Sequence, residues 1–176
     1  MPVDVAVHED STERRWGAGR VIVTVLVVGM VSMWGYVLYL AFGPGRLPPP
    51  DRLADPSFAQ AAQLRCRGTL DQVAQLPRAV EARTATERAE VVEQANDLFA
   101  QMLIDLEAIA PGGDDGALVR EWLADWHTYL GDRQDYAAAL RRDPEARLLV
   151  TPKQRAQITE YLDGFAADNH MPACAT

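Results

Sequence analysis

The sequence predicts an all-α protein, in which one N-terminal transmembrane helix precedes an up-down-up-down four-helix bundle-like domain. Three observations support this fold class. Residues 21–42 form an apolar run without a charge, long enough to cross a bilayer. Four later segments repeat apolar residues at steps of three and four, the spacing of a helical seam. No run of alternating β-branched residues predicts a sheet.

The segment from Val21 to Phe42 has 22 residues. A helix of this length spans about 33 Å, enough for the roughly 30 Å hydrocarbon core. Aromatic residues lie near both of its ends, as in interfacial belts: Trp16, Trp34, Tyr36 and Tyr39. A cleaved signal peptide is the alternative, but its apolar core would have about 7–15 residues and precede a small-x-small cleavage site. Because this run is longer and lacks such a site, we predict an uncleaved signal anchor.

Residues 1–20 would form a short tail on one side of the membrane. Three arginines precede the span and two follow it closely, a small difference under the positive-inside rule. The short tail and the two cysteines decide the orientation, because disulfides persist in oxidising compartments. We therefore predict a single-pass plasma-membrane protein with a cytoplasmic N-terminus and an extracytoplasmic C-terminal domain.

Residues 43–56 contain five prolines and two glycines. A Pro-Pro-Pro run favours an extended, semi-rigid spacer. We therefore predict a Pro-rich linker that holds the domain of residues 57–176 slightly away from the membrane surface. A polyproline ligand is the alternative function of this segment.

Start and stop signals divide residues 57–176 into four helices. Residues that favour an N-terminal cap precede each helix: Asp55 with Pro56, the Thr84–Glu87 capping box, Asp114 or Asp115, and Thr151–Gln154. Residues that end helices follow the first two: Pro77 and Pro111-Gly112-Gly113. We expect Gly131 to kink the third helix, with Asp132 capping a second segment. Short connections make consecutive helices antiparallel.

The two cysteines test this topology. Cys66 lies in the first helix and Cys174 follows the fourth, and in an up-down-up-down bundle these positions fall at the same end. A Cys66–Cys174 disulfide is therefore predicted. By chain entropy, closing a loop of about 100 residues contributes about 4–5 kcal/mol. Two buried free thiols are the alternative.

The sequence contains no recognisable catalytic or metal-binding motif. The predicted domain has a single serine, Ser57, and no G-x-S-x-G elbow. Its two histidines lie outside any H-E-x-x-H or E-x-x-H pattern. A zinc site at His170 and Cys174, or a Cys-His catalytic pair that uses His127, is the disfavoured alternative. We predict no catalytic residues, no metal and no cofactor.

The densest set of aromatic and polar residues lies between positions 121 and 136. At helical spacing Trp122, Trp126 and Tyr129 share a face that Arg133 continues, and an arginine there needs a carboxylate partner or a route to water. One interpretation is an aromatic core layer fastened by an Arg–Asp pair. The other is a pocket or docking surface, formed by Trp122, Asp125, Trp126, His127, Tyr129, Arg133 and Tyr136.

The layout of the chain resembles a family of uncharacterised single-pass membrane proteins common in actinobacteria. The resemblance lies in the basic-flanked Val-rich anchor, the Pro-rich spacer and the arginine-biased helical domain. It also lies in the segment Asp125-Trp126-x-x-Tyr129-Leu130-x-Asp132-Arg133-x-x-Tyr136 and in Ala173-Cys174-Ala175. The resemblance implies a cell-envelope location and assigns no catalytic residues.

Charge limits the classes of partner. The sequence pI is near 4.8, which argues against non-specific nucleic-acid binding because that requires a basic face. From Ser57 onwards the chain has 19 acidic and 12 basic residues, a net charge of −7. Acidic residues on the second predicted helix would form either a docking face for a basic partner or a solvated surface: Glu87, Glu90, Glu93, Asp97 and Asp105.

These observations favour a non-catalytic, membrane-tethered extracytoplasmic interaction or accessory module of a cell-envelope complex. Its expected partners are the lipid bilayer, through residues 21–42, and a protein of the envelope. The alternative is a small-ligand-binding or sensor module with a pocket near Trp122 and Trp126, since helical bundles host ligands between helices. An enzyme is the third hypothesis and would need clustered polar groups with perturbed pKa values in a cleft.

Overall fold

The computed structural model describes residues 12–42 and 49–176, which belong to two compact units divided between Pro48 and Pro49. The all-α fold class is confirmed, because the described residues form five α-helices, two 3₁₀ turns and one pair of two-residue strands. The predicted tail up to residue 11 and the first part of the predicted linker, residues 43–48, lie outside the described residues.

The first unit contains α1, Thr12–Phe42. Within it, Gly19–Phe42 has 24 residues and a mean hydropathy of 2.3. Its apolar side chains are exposed, Leu26 to 67% and Val31 to 64%. By length and composition α1 is therefore able to cross a membrane. The side chain of Trp16, predicted for the interfacial belt, lies outside the described residues.

The second unit contains four α-helices: α2 Ser57–Val73, α3 Ala85–Glu107, α4 Gly113–Leu140 and α5 Ile158–Asp168. Two short 3₁₀ turns follow α2 and α5, Ala79–Glu81 and Pro172–Cys174. α3 packs against both α2 and α4, while α5 packs against α4. The C-terminal 3₁₀ turn contacts both α2 and α5 and so closes the ring of helices.

The Thr84 cap predicted for α3 is confirmed, but the reciprocal bond of a capping box is replaced, because Glu87 accepts from Arg83 and not from Thr84. The Thr84 hydroxyl oxygen accepts a hydrogen bond from the Glu87 N–H at 3.1 Å, and the Glu87 carboxylate accepts one from the Arg83 N–H at 2.8 Å. These bonds satisfy backbone donors that have no partner within the helix. At the start of α2, the Asp55 carboxylate similarly accepts from the Ser57 N–H at 2.8 Å.

The predicted start of a second helical segment after Gly131 is wrong, because α4 runs without interruption from Gly113 to Leu140. A glycine inside a helix costs about 1 kcal/mol, which the burial of neighbours such as Leu130 offsets. Asp132 does not cap a new segment. Its carboxylate accepts hydrogen bonds from the backbone N–H and the hydroxyl of Thr151, both at 2.7 Å.

The predicted capping box at Thr151–Gln154 is also wrong. Since Thr151 donates to Asp132, its hydroxyl does not cap a helix, and the chain forms a small hairpin instead. Strand β1, Pro152–Lys153, pairs antiparallel with β2, Ala156–Gln157. The helix α5 starts after this hairpin with a capping box between Gln157 and Glu160.

The end of the predicted linker is bonded to the folded domain. Leu53 is buried, and its N–H donates to the Asn169 side-chain oxygen at 2.8 Å. The Asn169 side-chain nitrogen donates to the carbonyl of Asp51 at 2.9 Å. Asp115 accepts from the backbone N–H groups of Ala54 and Asp55 at 3.0 and 2.9 Å. Residues 49–56 therefore form a strap on the second unit, which we call the N-terminal strap.

The predicted disulfide is formed between Cys66 and Cys174, whose Cα atoms are 5.2 Å apart. Both residues are 1% exposed. The Ala173 N–H also donates to the Gln63 side chain at 2.9 Å. The covalent bond and this hydrogen bond attach the C-terminal 3₁₀ turn to α2.

Candidate functional site

The aromatic residues predicted for a core layer or a pocket form a packed core. Trp122 is 2% exposed and stacks on Phe165 at 5.2 Å between ring centroids. It meets Phe58 and Trp126 edge-on at 6.3 and 6.4 Å. Its indole N–H donates to the carbonyl of Leu162 at 3.4 Å. The Trp122 and Trp126 rings therefore lie inside the domain and present no docking surface.

A small cleft of about 60 Å³ lies beside Trp122, between α4, α5 and the hairpin. Its lining is partly polar: Asp51, Glu121, Trp122, Asp125, Lys153 and Tyr161. Ligand pockets usually have volumes of about 300–1,000 Å³. The cleft is therefore several times smaller than the usual site for an organic ligand.

Asp125 binds the only lysine of the chain. The Lys153 ammonium donates to Asp125 at 2.7 Å and to Glu121 at 2.9 Å, and it lies 5.2 Å from the Tyr161 ring centroid. Partial burial lowers the pKa of Lys153, but the hydrogen bonds to Asp125 and Glu121 outweigh this effect and raise the pKa above its ordinary value. Lys153 is therefore protonated, and its two ion pairs attach the hairpin to α4. A protonated ammonium group does not act as a base or a nucleophile.

His127 and Tyr136 lie apart from the aromatic core. The His127 Nε2 atom is 2.6 Å from a Glu107 carboxylate oxygen, and both side chains are about half exposed, at 52% and 49%. Tyr136 lines an open groove with Leu149 and Thr151 on a different side of α4. The sequence-predicted site residues thus do not converge on one site. Among the residues that the structure describes, no group of three or more His, Cys, Asp or Glu side chains is placed to hold a metal ion.

Arg133 contacts an amide instead of the carboxylate that the sequence suggests. Its Nε–H donates to the Asn96 side-chain oxygen at 2.8 Å. Its guanidinium carbon lies 5.0 Å from the ring centroid of Phe99 and 5.8 Å from that of Tyr129. None of the described acidic residues forms an ion pair with Arg133. The predicted Arg–Asp fastening is therefore wrong, and the positive charge is not neutralised within the described chain.

Arg133 also lines a groove of about 260 Å³. We call it the Arg133 groove; its walls are mostly apolar and include Val73, Leu76, Pro77, Val92 and Ala95, together with two arginines, Arg133 and Arg78, of which Arg78 pairs with Glu81. Val73 ends α2, Leu76 and Pro77 follow it, and Val92 and Ala95 lie on α3. The groove thus lies over α3, between the end of α2 and the C-terminal half of α4.

The unequal lengths of the helices account for this groove. With a rise of 1.5 Å per residue, the 28 residues of α4 extend about 42 Å and the 11 residues of α5 about 16 Å. Because α5 packs at Trp122, it covers only part of α4. We call the covered part of the domain, around Phe58, Trp122 and Phe165, the Trp122 half. The other part, around Leu76, Asn96 and Arg133, is the Arg133 half.

Sequence reasoning missed Asn96 and Lys153 as site residues, although each has a signal. Asn96 lies four residues after Val92 and three before Phe99, so that it interrupts the apolar stripe of its helix. A polar residue on such a stripe needs a polar partner, and Arg133 is the polar residue on the neighbouring stripe. Lys153 is the single lysine in an arginine-rich chain. Leu76 and Pro77 carry no signal beyond the end of a helix.

Fold and site together define a helical domain closed by a buried disulfide, in a chain that also has one helix of membrane-spanning length. No family model, curated protein or solved structure matches this chain. A proposal for its function therefore rests on the residues of this chain and not on similarity to another protein.

Proposed function

We propose that this protein is a non-catalytic, membrane-tethered extracytoplasmic module that binds a protein partner in a cell-envelope complex. The observation that carries the proposal is a buried disulfide in a chain that also holds a helix of membrane-spanning length. Disulfides persist in the oxidising space outside the cytoplasm. The resemblance to actinobacterial single-pass membrane proteins supports the same location.

The pKa of Lys153 and the surface position of His127 support a binding function rather than catalysis. A catalytic base or nucleophile needs a pKa near the working pH and access to a substrate. Lys153 instead has a raised pKa between two carboxylates, and the cleft beside it, at about 60 Å³, is much smaller than a usual ligand pocket. His127 lies on the surface in a pair with Glu107.

The surface of the domain also supports the proposal that the partner is a protein. The acidic face predicted on α3 is partly used within the domain, because Glu87 caps α3 and Glu93 forms an ion pair with Arg141 at 2.6 Å. The Arg133 groove has mostly apolar walls and an arginine whose charge no described carboxylate neutralises. An apolar groove is a surface on which an amphipathic helix of a partner protein can bind.

The membrane topology can be tested by labelling engineered cysteines in intact cells of the source organism. We expect a membrane-impermeant maleimide to label Gln60→Cys, an exposed position of α2, without permeabilisation. A matched cysteine at His8, in the predicted tail, should be labelled only after permeabilisation. The opposite pattern would overturn the extracytoplasmic assignment, and labelling of both sites in intact cells would overturn the single-pass topology.

The interaction part of the proposal is tested by cross-linking the full-length protein in the same intact cells, followed by mass spectrometry. A reproducible protein partner attached to residues 49–176 is expected. Repeated absence of any cross-linked protein would count decisively against an interaction module.

A further inference from the structure

The Arg133 half of the domain lacks the fourth helix that fills the Trp122 half. In the Trp122 half, Phe165 and Leu162 of α5 cover Trp122 on α4. In the Arg133 half, the space beside α4 is an open groove of about 260 Å³ with apolar walls. Helices in bundles pack with axes about 8–10 Å apart, and the vacant position has the surroundings of a helix-binding corner on three elements, α2, α3 and α4.

The groove holds a positive charge without an ionic partner among the described residues. A guanidinium has five N–H donors, and the one hydrogen bond that Arg133 makes to the described chain uses Nε–H. Arg133 is held in place by Asn96, Phe99 and Tyr129. Its planar fork matches a carboxylate, which accepts two parallel hydrogen bonds from such a group.

Asn96, the hydrogen-bond partner of Arg133, also has an unused hydrogen-bond donor. It is 3% exposed, and its side-chain nitrogen has no hydrogen-bond partner. Buried amides are normally satisfied, and an Arg–Asn pair leaves both members with unused donors. Asn96 does not line the groove, so an acceptor on a partner would bind Arg133, which does.

We propose that the Arg133 groove binds an apolar helical segment of a protein partner, and that a carboxylate on this segment pairs with Arg133. This inference rests on the proposed function and names the chemistry of the partner. The apolar walls, including Leu76 and Val92, require apolar side chains on the segment. Charge complementarity with Arg133 requires an aspartate or glutamate among them.

The test is site-specific photo-cross-linking of the full-length, membrane-embedded protein in cells of the source organism. A photoreactive phenylalanine analogue replaces Leu76 or Val91, which both line the groove. The control position is Ile104, an exposed apolar residue on the side of α3 opposite to Ala95. We expect adducts with one protein from Leu76 and Val91 and none from Ile104. The cross-linked peptide should be apolar and contain an aspartate or glutamate within about one helical turn of the linked residue.

Arg133→Gln should reduce the yield of this adduct at least about tenfold, because a charge pair at a desolvated contact contributes at least that factor to affinity. Arg133→Lys keeps the charge and should retain more adduct than Arg133→Gln. Arg141→Gln is the matched control, since Arg141 already pairs with Glu93 of its own chain, and it should leave the yield unchanged. Thermal unfolding of each purified variant shows whether it is folded.

Exchanging the two charges of the proposed pair distinguishes loss of the contact from loss of folding. Arg133→Glu should abolish the adduct, and replacement of the partner's acidic residue by arginine should restore it. A merely structural arginine would not be rescued in this way.

Several outcomes overturn the inference. They are equal adduct yields in Arg133→Gln and the unaltered protein, a cross-linked peptide without a carboxylate, and adducts with a lipid or small molecule alone. Adducts from Ile104 without any from Leu76 or Val91 would refute the groove while the proposed interaction function stands. Absence of protein adducts from all three positions, together with absence of a partner in general cross-linking, would refute both.

Discussion

The two halves of the helical domain differ in what their interior positions contain. In the Trp122 half, aromatic rings from three helices fill the interior, and Trp122 and Trp126 are each 2% exposed. In the Arg133 half, the corresponding positions hold Asn96 and Arg133 beside an open groove. Packed apolar side chains stabilise a fold, whereas a buried polar pair contributes little net stability. We therefore expect the Trp122 half to contribute most of the stability of the domain.

The largest expected effect comes from truncating the centre of the Trp122 half. Trp122→Ala should lower the free energy of unfolding by about 3–5 kcal/mol, because it removes a buried ring and leaves a cavity. Leu76→Ala, at a half-buried position of the Arg133 half, should cost about 1 kcal/mol. Urea unfolding of both variants in detergent micelles measures the difference. Equal losses in the two variants would contradict the assignment of stability to the Trp122 half.

A smaller effect is expected from replacing the polar pair of the Arg133 half by apolar residues. The double variant Asn96→Leu/Arg133→Met should unfold with a free energy equal to that of the original protein or up to about 2 kcal/mol higher, since both polar partners are removed together. Asn96→Leu alone should be less stable than the double variant because it leaves Arg133 without its hydrogen bond. The same urea titrations measure these values. A double variant as unstable as Trp122→Ala would show that the pair stabilises the fold.

The smallest expected effect is a decrease in the hydrogen-exchange protection of the N-terminal strap at low pH. Hydrogen bonds from the backbone N–H groups of Ala54 and Asp55 hold the pKa of Asp115 below its ordinary value of 3.8. A carboxyl group with a lowered pKa stabilises the folded state above its ordinary pKa, and this contribution is lost as the pH falls through the lowered pKa. Hydrogen-exchange protection of the Ala54 and Asp55 amides should therefore be constant near neutral pH and decrease below pH 3.8.

Asp115→Asn is the control for this pH dependence. Its side chain has the same shape without the titrating group, so the protection of the strap amides should be weaker at neutral pH and should not change with acidification below 3.8. An identical pH profile in the variant and the original protein would exclude Asp115 as the titrating group.

Much of the fold could be predicted from local sequence. The apolar length of α1, the Thr84–Glu87 cap of α3 and the stripe through Trp122 and Trp126 depend on residues close together in the chain. The disulfide could be predicted because antiparallel helices with short connections bring the ends of the first and the last to one place. These features follow from periodicity, capping and chain connectivity.

These wrong or missed predictions share one physical cause: the hydrogen-bond partner of the residue lies far from it in the sequence. Asp132 was expected to cap a helix, but the Thr151 N–H and hydroxyl are its partners. Thr151 is therefore not free to cap a helix, and the hairpin forms in place of the predicted helix start. The N-terminal strap similarly depends on Asn169 and Asp115, which lie 116 residues after Leu53 and 61 residues after Ala54.

Composition and residue spacing were enough to predict the helical class, the membrane-length helix and the pairing of Cys66 with Cys174. Packing in three dimensions was needed to show that the predicted aromatic site is core and that Arg133 pairs with Asn96 beside an open groove. Helical periodicity shows which residues share a face, but the lengths of the neighbouring helices decide whether that face is covered. Here α5 is shorter than α4, so Trp122 and Trp126 on this stripe are buried, whereas Arg133 lies beside an open groove.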